Sequence, residues 1–159
     1  YVASNPGVAD DPLGFTFIGD KQRLAHDLLE VRFMIEPQMA SMAAEHATDD
    51  QIACIKELCD ESERLAALGE DYSAADTAFH NAIAESCGNL VVPRLMGVLK
   101  ASVPLFIDVT GKKLVEETIR THRGVADAIA ARNPTAAHDA MYLHLVYNRN
   151  MIAEGKQGQ

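Results

Sequence analysis

The spacing of the apolar residues constrains this chain more than any single motif does. From Lys21 to about His46, Leu24, Leu28, Val31, Ile35, Met39, Met42 and Ala43 recur three and four apart. On a helix of about 3.6 residues per turn, that spacing gathers them on one face. The same period returns in Ile52, Ile55, Leu58 and Leu65, and again in Ile119, Val125, Ala126 and Ile129. No segment alternates with period two, so the sequence offers nothing from which to build a sheet. The expected fold is all-α, an antiparallel bundle of six or seven helices.

Local signals divide the bundle. Thr48 with Gln51 reads as a capping box that opens a second helix, and Gly69 closes it. A third helix spans about Tyr72 to Ser86 and ends at Gly88, which suits a left-handed position. Residues 90–109 are apolar but interrupted by Pro93 and Pro104, so they read as one buried helix and a second, broken one. After the loop "TGKK", the segment "LVEETIRTHRGVADAIAAR" carries acids early and arginine late, as the helix dipole prefers. Asn133 and Pro134 then open a last helix that runs to about Ala153. Pro37 lies inside the first helix and is expected to kink it. Residues 1–20 hold two of the six prolines and three of the ten glycines and read as a linker, with Phe15, Phe17 and Ile18 tacking it onto the body. Residues 21–154 form the folded domain, and 155–159 are expected to be a disordered tail.

Charge excludes one broad class of function for this segment. Its 159 residues carry 14 Lys and Arg against 23 Asp and Glu, a formal net charge of −9. Affinity for nucleic acid rests on cations meeting phosphates, and anionic membranes need the same cations. No apolar run reaches the roughly 20 residues that span a bilayer. The three cysteines, Cys54, Cys59 and Cys87, form no CxxC pair and leave an odd thiol. That pattern fits a reducing cytoplasm, with Cys87 structural. The chain begins at Tyr1, which leads us to expect a fragment or processed product.

The histidines divide by their surroundings. His26, His46 and His138 lie among polar neighbours and are expected at the surface. His80 stands beside Phe79 and Ile83, His122 shares a stripe with Ile119, Val125 and Ile129, and His144 shares one with Ala137, Ala140, Met141 and Asn148. Three helices thus each aim an imidazole inward, and Asp76, four residues before His80, adds a carboxylate on the same face. Three imidazole nitrogens and a carboxylate oxygen suit Zn²⁺, Ni²⁺, Mn²⁺ or Fe²⁺. A single inward histidine is more often a hydrogen-bonded core residue, and Asp76 with His80 could be a plain helix pair. Spacing alone leaves both readings open. Arg32 and Glu36, also four apart, are either an ordinary ion pair or an arginine reaching inward to hold a carboxylate. No GxSxG, phosphate-binding glycine loop or HExxH motif is present, and no catalytic residue is assigned.

Together, "DLLEVRFMIEPQMASMAAEHAT", "DTAFHNAIAESCGN" and "THRGVADAIAARNPTAAHDAMYLHL" resemble the effector-binding C-terminal (FCD) domain of the FadR branch of GntR-type transcriptional regulators. The resemblance covers about residues 21 to 152. It implies that "YVA" at the start is the end of a wing strand, and that DNA contact belongs to a winged helix-turn-helix domain preceding this one. In metal-binding members the ligands are one aspartate and three histidines, which fall here on Asp76, His80, His122 and His144. The resemblance further implies a central cavity with a divalent transition metal at its base, zinc foremost, where a small organic acid or sugar acid binds. One such cation with one carboxylate and three neutral imidazoles leaves a net positive charge, and Arg32 nearby would add another. Arg32, then Asn89 and Asn148, are the residues expected to contact the effector. A homodimer is implied as well. Two other readings stand beside this one: an all-α metalloenzyme acting on a small carboxylate, and a metal-free helical dimerisation module.

Overall fold

The computed structural model describes residues 14–99 and 115–155. The wing-strand end, the broken helix through Pro104 and residues 156–159 of the expected tail lie outside the described residues, while Gly155, the first residue of that tail, ends the last helix. Within them are a 3-10 turn at Phe15–Phe17 and six helices: α1 (Lys21–His46), α2 (Asp49–Ala67), α3 (Ser73–Ser86), α4 (Val92–Leu99), α5 (Val115–Ala130) and α6 (Pro134–Gly155). No strand occurs among the described residues.

Short-range chemistry sets the helix ends. The Asp20 carboxylate accepts a hydrogen bond from Arg23 N and caps α1. Thr48 and Gln51 form the expected reciprocal box, at 3.2 Å and 2.9 Å. At the end of α2, Gly69 takes φ +70°, and Glu70 N donates back to the Leu65 carbonyl. Asn133 Oδ1 accepts from Ala136 N, with Pro134 as the first residue of α6. Arg132 takes φ +55° before that cap, and its guanidinium holds the Ala47 carbonyl and Asp49, tying the α5–α6 turn to the α1–α2 turn.

The core forms where α1 lies along α6, α5 packs on α6, and α2 packs on α3 and α5. Ala40, Ala43 and Ala44 are fully buried, so α1 approaches its neighbours closely. Ile55, Phe79, Ile83, Val125, Ile129 and Met141 fill the space between helices. Each large side chain of this kind contributes roughly 1.5–3 kcal/mol by leaving water. Arg123 adds a polar strap from α5 to Glu63 and Asp60 of α2, at 2.8 Å and 2.6 Å. Among the described residues no helix is long and apolar enough to cross a membrane.

One expectation changes. Phe15 packs on the core, but Phe17 is 91% exposed and Ile18 39% exposed. A 3-10 turn rotates successive side chains by about 120°, so Phe15 and Phe17, two positions apart, cannot both face the body. Pro37 is buried inside α1, which runs through it as one helix.

The turn after α3 generates a prediction. Gly88 takes φ +75°, and a Cβ there would lie 3.1 Å from the His46 ring and 3.2 Å from His46 Cβ, whereas a Cβ on Gly69 would meet nothing within 4 Å. Gly69→Ala should therefore cost about 1 kcal/mol for backbone strain alone. Gly88→Ala should cost measurably more, and urea midpoints of the two variants against wild type would show that order.

Candidate metal centre

α3, α5 and α6 each contribute one imidazole to a single point inside the bundle. His80, His122 and His144 are buried, and one ring nitrogen of each lies within 4.8 Å of the others. Ring centroids are 5.2 Å apart for His80 and His122, 5.3 Å for His80 and His144, and 4.5 Å for His122 and His144. Phe79 stacks on the His122 ring at 4.5 Å and walls off one side. Each helix achieves this by spending one position of its apolar stripe on histidine. His26, His46 and His138 stay about half exposed.

Asp76 is also buried, and its Oδ1 lies 3.5 Å from His122 Nε2. The helical pair of Asp76 and His80 therefore points into the interior. Burial pushes the Asp76 carboxyl up from its ordinary range, against the opposing pull of His80 and Arg32. Burial likewise pushes His122 and His144 well down, with neighbouring positive charge acting in the same direction. Neutral rings are what a metal requires of its ligands.

Glu36 is the residue that the sequence reading undervalued. It is fully buried and takes two hydrogen bonds from Arg32, at 2.5 Å from Nε to Oε1 and 3.3 Å from Nη2 to Oε2. Its Oε2 also lies 2.9 Å from His80 Nδ1. That approach is off the line of a well-formed hydrogen bond, and His80 Nδ1 counts among the unpartnered buried atoms. Burial alone would raise the Glu36 carboxyl, but Arg32 and His80 outweigh it and hold it well below the usual carboxylate range. Arg32 is thus no rim ion pair, and its charge is cancelled by Glu36. A divalent ion with Asp76 and three neutral rings would still leave one net positive charge. The signal was present in the chain, because Ala25, Leu29, Arg32, Glu36 and Ala43 share one helical stripe.

The two asparagines part company. Asn148 Nδ2 lies 3.3 Å from His144 Nε2, at the cluster. Asn89 is exposed, and its Oδ1 accepts from Val91 N and Val92 N as the cap of α4. It lines an open surface cleft with Glu85, Gly88, Leu90, Pro93 and Arg94, none of which belongs to the histidine cluster. Its position in "NLVVP", just before a helix, explains that placement.

The donor set suits a metal on a specific observation. Both ring nitrogens of His80 and both of His122 are buried without a hydrogen-bond partner. Native interiors pair nearly all such atoms, and a bound ion would answer one nitrogen of each ring, while His80 Nδ1 faces Glu36 at 2.9 Å. Three imidazoles with an adjacent carboxylate suit a divalent transition ion.

Residues 27–147 match the family model described as FCD domain. The chain is 31% identical over 143 residues to the HTH-type transcriptional regulator LutR of Bacillus subtilis, covering 84% of this chain and 64% of that protein. It is 34% identical over 145 residues to an Escherichia coli (strain K12) protein named as a regulator of the L-lactate dehydrogenase operon, covering 83% and 53%. The solved structure of a Streptococcus agalactiae GntR protein matches with a TM-score of 0.81 and 34% identity, over 94% of this chain and 69% of that one. The chain spans between about half and two thirds of the length of these curated relatives.

Two outcomes test the electrostatics. Arg32→Met leaves a buried carboxylate unpaired and should cost about 3–5 kcal/mol, while Arg32→Met combined with Glu36→Leu should recover much of that loss in chemical denaturation. For pH, His122 and His144 have folded pKa values below the ordinary 6.5. Below that value the unfolded chain binds protons that the folded chain does not, so stability falls as pH falls, by up to about 1.4 kcal/mol per unit for each ring. Metal-stripped protein should therefore lose stability between about pH 6.5 and pH 5, and His144→Gln should flatten that slope.

Proposed function

The chain belongs to the FCD-domain family of GntR-type transcriptional regulators, and from that premise we propose that it senses a small organic acid through a bound divalent metal. Asp76, His80, His122 and His144 are the ligands in this reading, and zinc is the first candidate, before nickel, manganese and iron. The observation that carries it is the convergence of one buried ring nitrogen from each of His80, His122 and His144, with unpartnered nitrogens on His80 and His122 and Asp76 beside them.

The guest follows from charge. With Arg32 and Glu36 cancelling, a metal-loaded site keeps one net positive charge, which favours a monoanion. A carboxylate could complete the metal coordination, with Arg32 and Asn148 as the polar groups nearest to it. A 2-hydroxy acid such as lactate is the first to try, because one relative is named for the L-lactate dehydrogenase operon. The acid would alter DNA binding by a winged helix-turn-helix domain on the same polypeptide, in a cytoplasmic homodimer. It can do so only by favouring one arrangement of that dimer over another. The net charge of −9 agrees with leaving DNA contact to another domain.

Metal analysis by mass spectrometry, on protein purified without chelator or histidine tag, tests this reading. We expect about one transition metal per chain, lost in Asp76→Ala and in His144→Ala. The loaded protein should then melt higher with the cognate acid, and the stripped protein should not respond. Wild type that takes up no Zn²⁺, Ni²⁺ or Mn²⁺ would return the histidines to the role of core residues.

A further inference from the structure

Thr121 is buried on α5, one residue before His122. Its hydroxyl oxygen lies 2.7 Å from the Glu117 carbonyl, 3.1 Å from the Thr118 carbonyl and 3.1 Å from His144 Nδ1. A hydroxyl has one proton, and the two carbonyls can only accept it. With that proton committed to its own helix, Thr121 offers His144 nothing but lone pairs. His144 Nδ1 must then carry the N–H, which leaves the ring's free lone pair on Nε2. Asn148 Nδ2 lies 3.3 Å from Nε2, so without a metal its amide donates to that same lone pair, and a bound ion would displace the contact.

His80 meets a parallel constraint. Its Nδ1 faces Glu36 Oε2 at 2.9 Å, and that carboxylate is already paired with Arg32. An ionised carboxylate only accepts, so the favourable ring form again has N–H at Nδ1 and the lone pair at Nε2.

We propose that Thr121 and Glu36 are positioning residues that fix which nitrogen His144 and His80 offer as a ligand, spending Nδ1 on an outer contact and keeping Nε2 for the metal. The purpose rests on the metal reading above, but the tautomers can be measured without any metal. Outer contacts of this kind change metal affinity by about 10- to 100-fold when removed. A side chain that merely packs would change stability and leave ring protonation alone.

The test is long-range ¹H–¹⁵N correlation NMR on metal-stripped, histidine-labelled protein at pH 7.5. Wild type should show N–H at Nδ1 of both His80 and His144. In an Asn148→Ala background, Thr121→Val should shift His144 toward the other tautomer, and Thr121→Ser, which keeps the hydroxyl, should not. Zn²⁺ affinity by competition with a chromogenic chelator should fall about 10- to 100-fold in Thr121→Val and in Glu36→Gln, and recover in Thr121→Ser. Wild type with N–H at Nε2 of His144, or an unchanged tautomer in a folded Thr121→Val, Asn148→Ala double variant, would overturn the assignment. The expected tautomers in a wild type that binds no metal would sink the metal reading and leave the tautomer assignment standing.

Discussion

A carboxylate sealed inside a helical bundle has to be answered by positive charge or a proton, and the interior here is organised around the way Glu36 is answered. Arg32 grips it from one turn earlier on α1, and His80 approaches from α3. Neither charge of that pair reaches water. Desolvating two ions costs several kcal/mol each, so an arrangement like this is rarely present for stability alone. Its effect is to fix the register of α1 against α3 at the level of the histidines.

Around that pair the bundle keeps an apolar shell and a polar centre. Phe79, Ile83, Val125, Ile129 and Met141 surround groups that a core normally excludes. Asp76, His80, His122 and His144 come together through three different helices.

Much of the fold was legible because its punctuation is local. Thr48 with Gln51, Asn133 with Pro134, and the glycines at 69 and 88 determine their turns from a few adjacent residues. The inward histidines were legible for a similar reason, since a stripe at helical spacing tells which face a residue occupies. Pairings across helices were not. The spacing of Arg32 and Glu36 is the same for a solvated surface pair and a buried fork, and only the position of α3 and α6 against α1 decides between them. Thr121 was hidden for a related reason. Thr118, Thr121, Val125 and Ala128 share one stripe, and threonine there reads as filler until His144 is seen against it. Asn89 and Asn148 look alike as letters, and their different roles come from where their helices begin and run.

The three histidines stand far apart along the chain, separated by about forty and about twenty residues. Anything that grips all three rings therefore ties two long loops of polypeptide at one knot. The entropy of closing a loop grows only slowly with its length, so a tie at this point constrains the unfolded chain nearly as much as a much longer loop would. Its influence is accordingly global. With the centre occupied, integrity of the bundle would become one cooperative property, in which α3, α5 and α6 hold or release together instead of fraying one at a time.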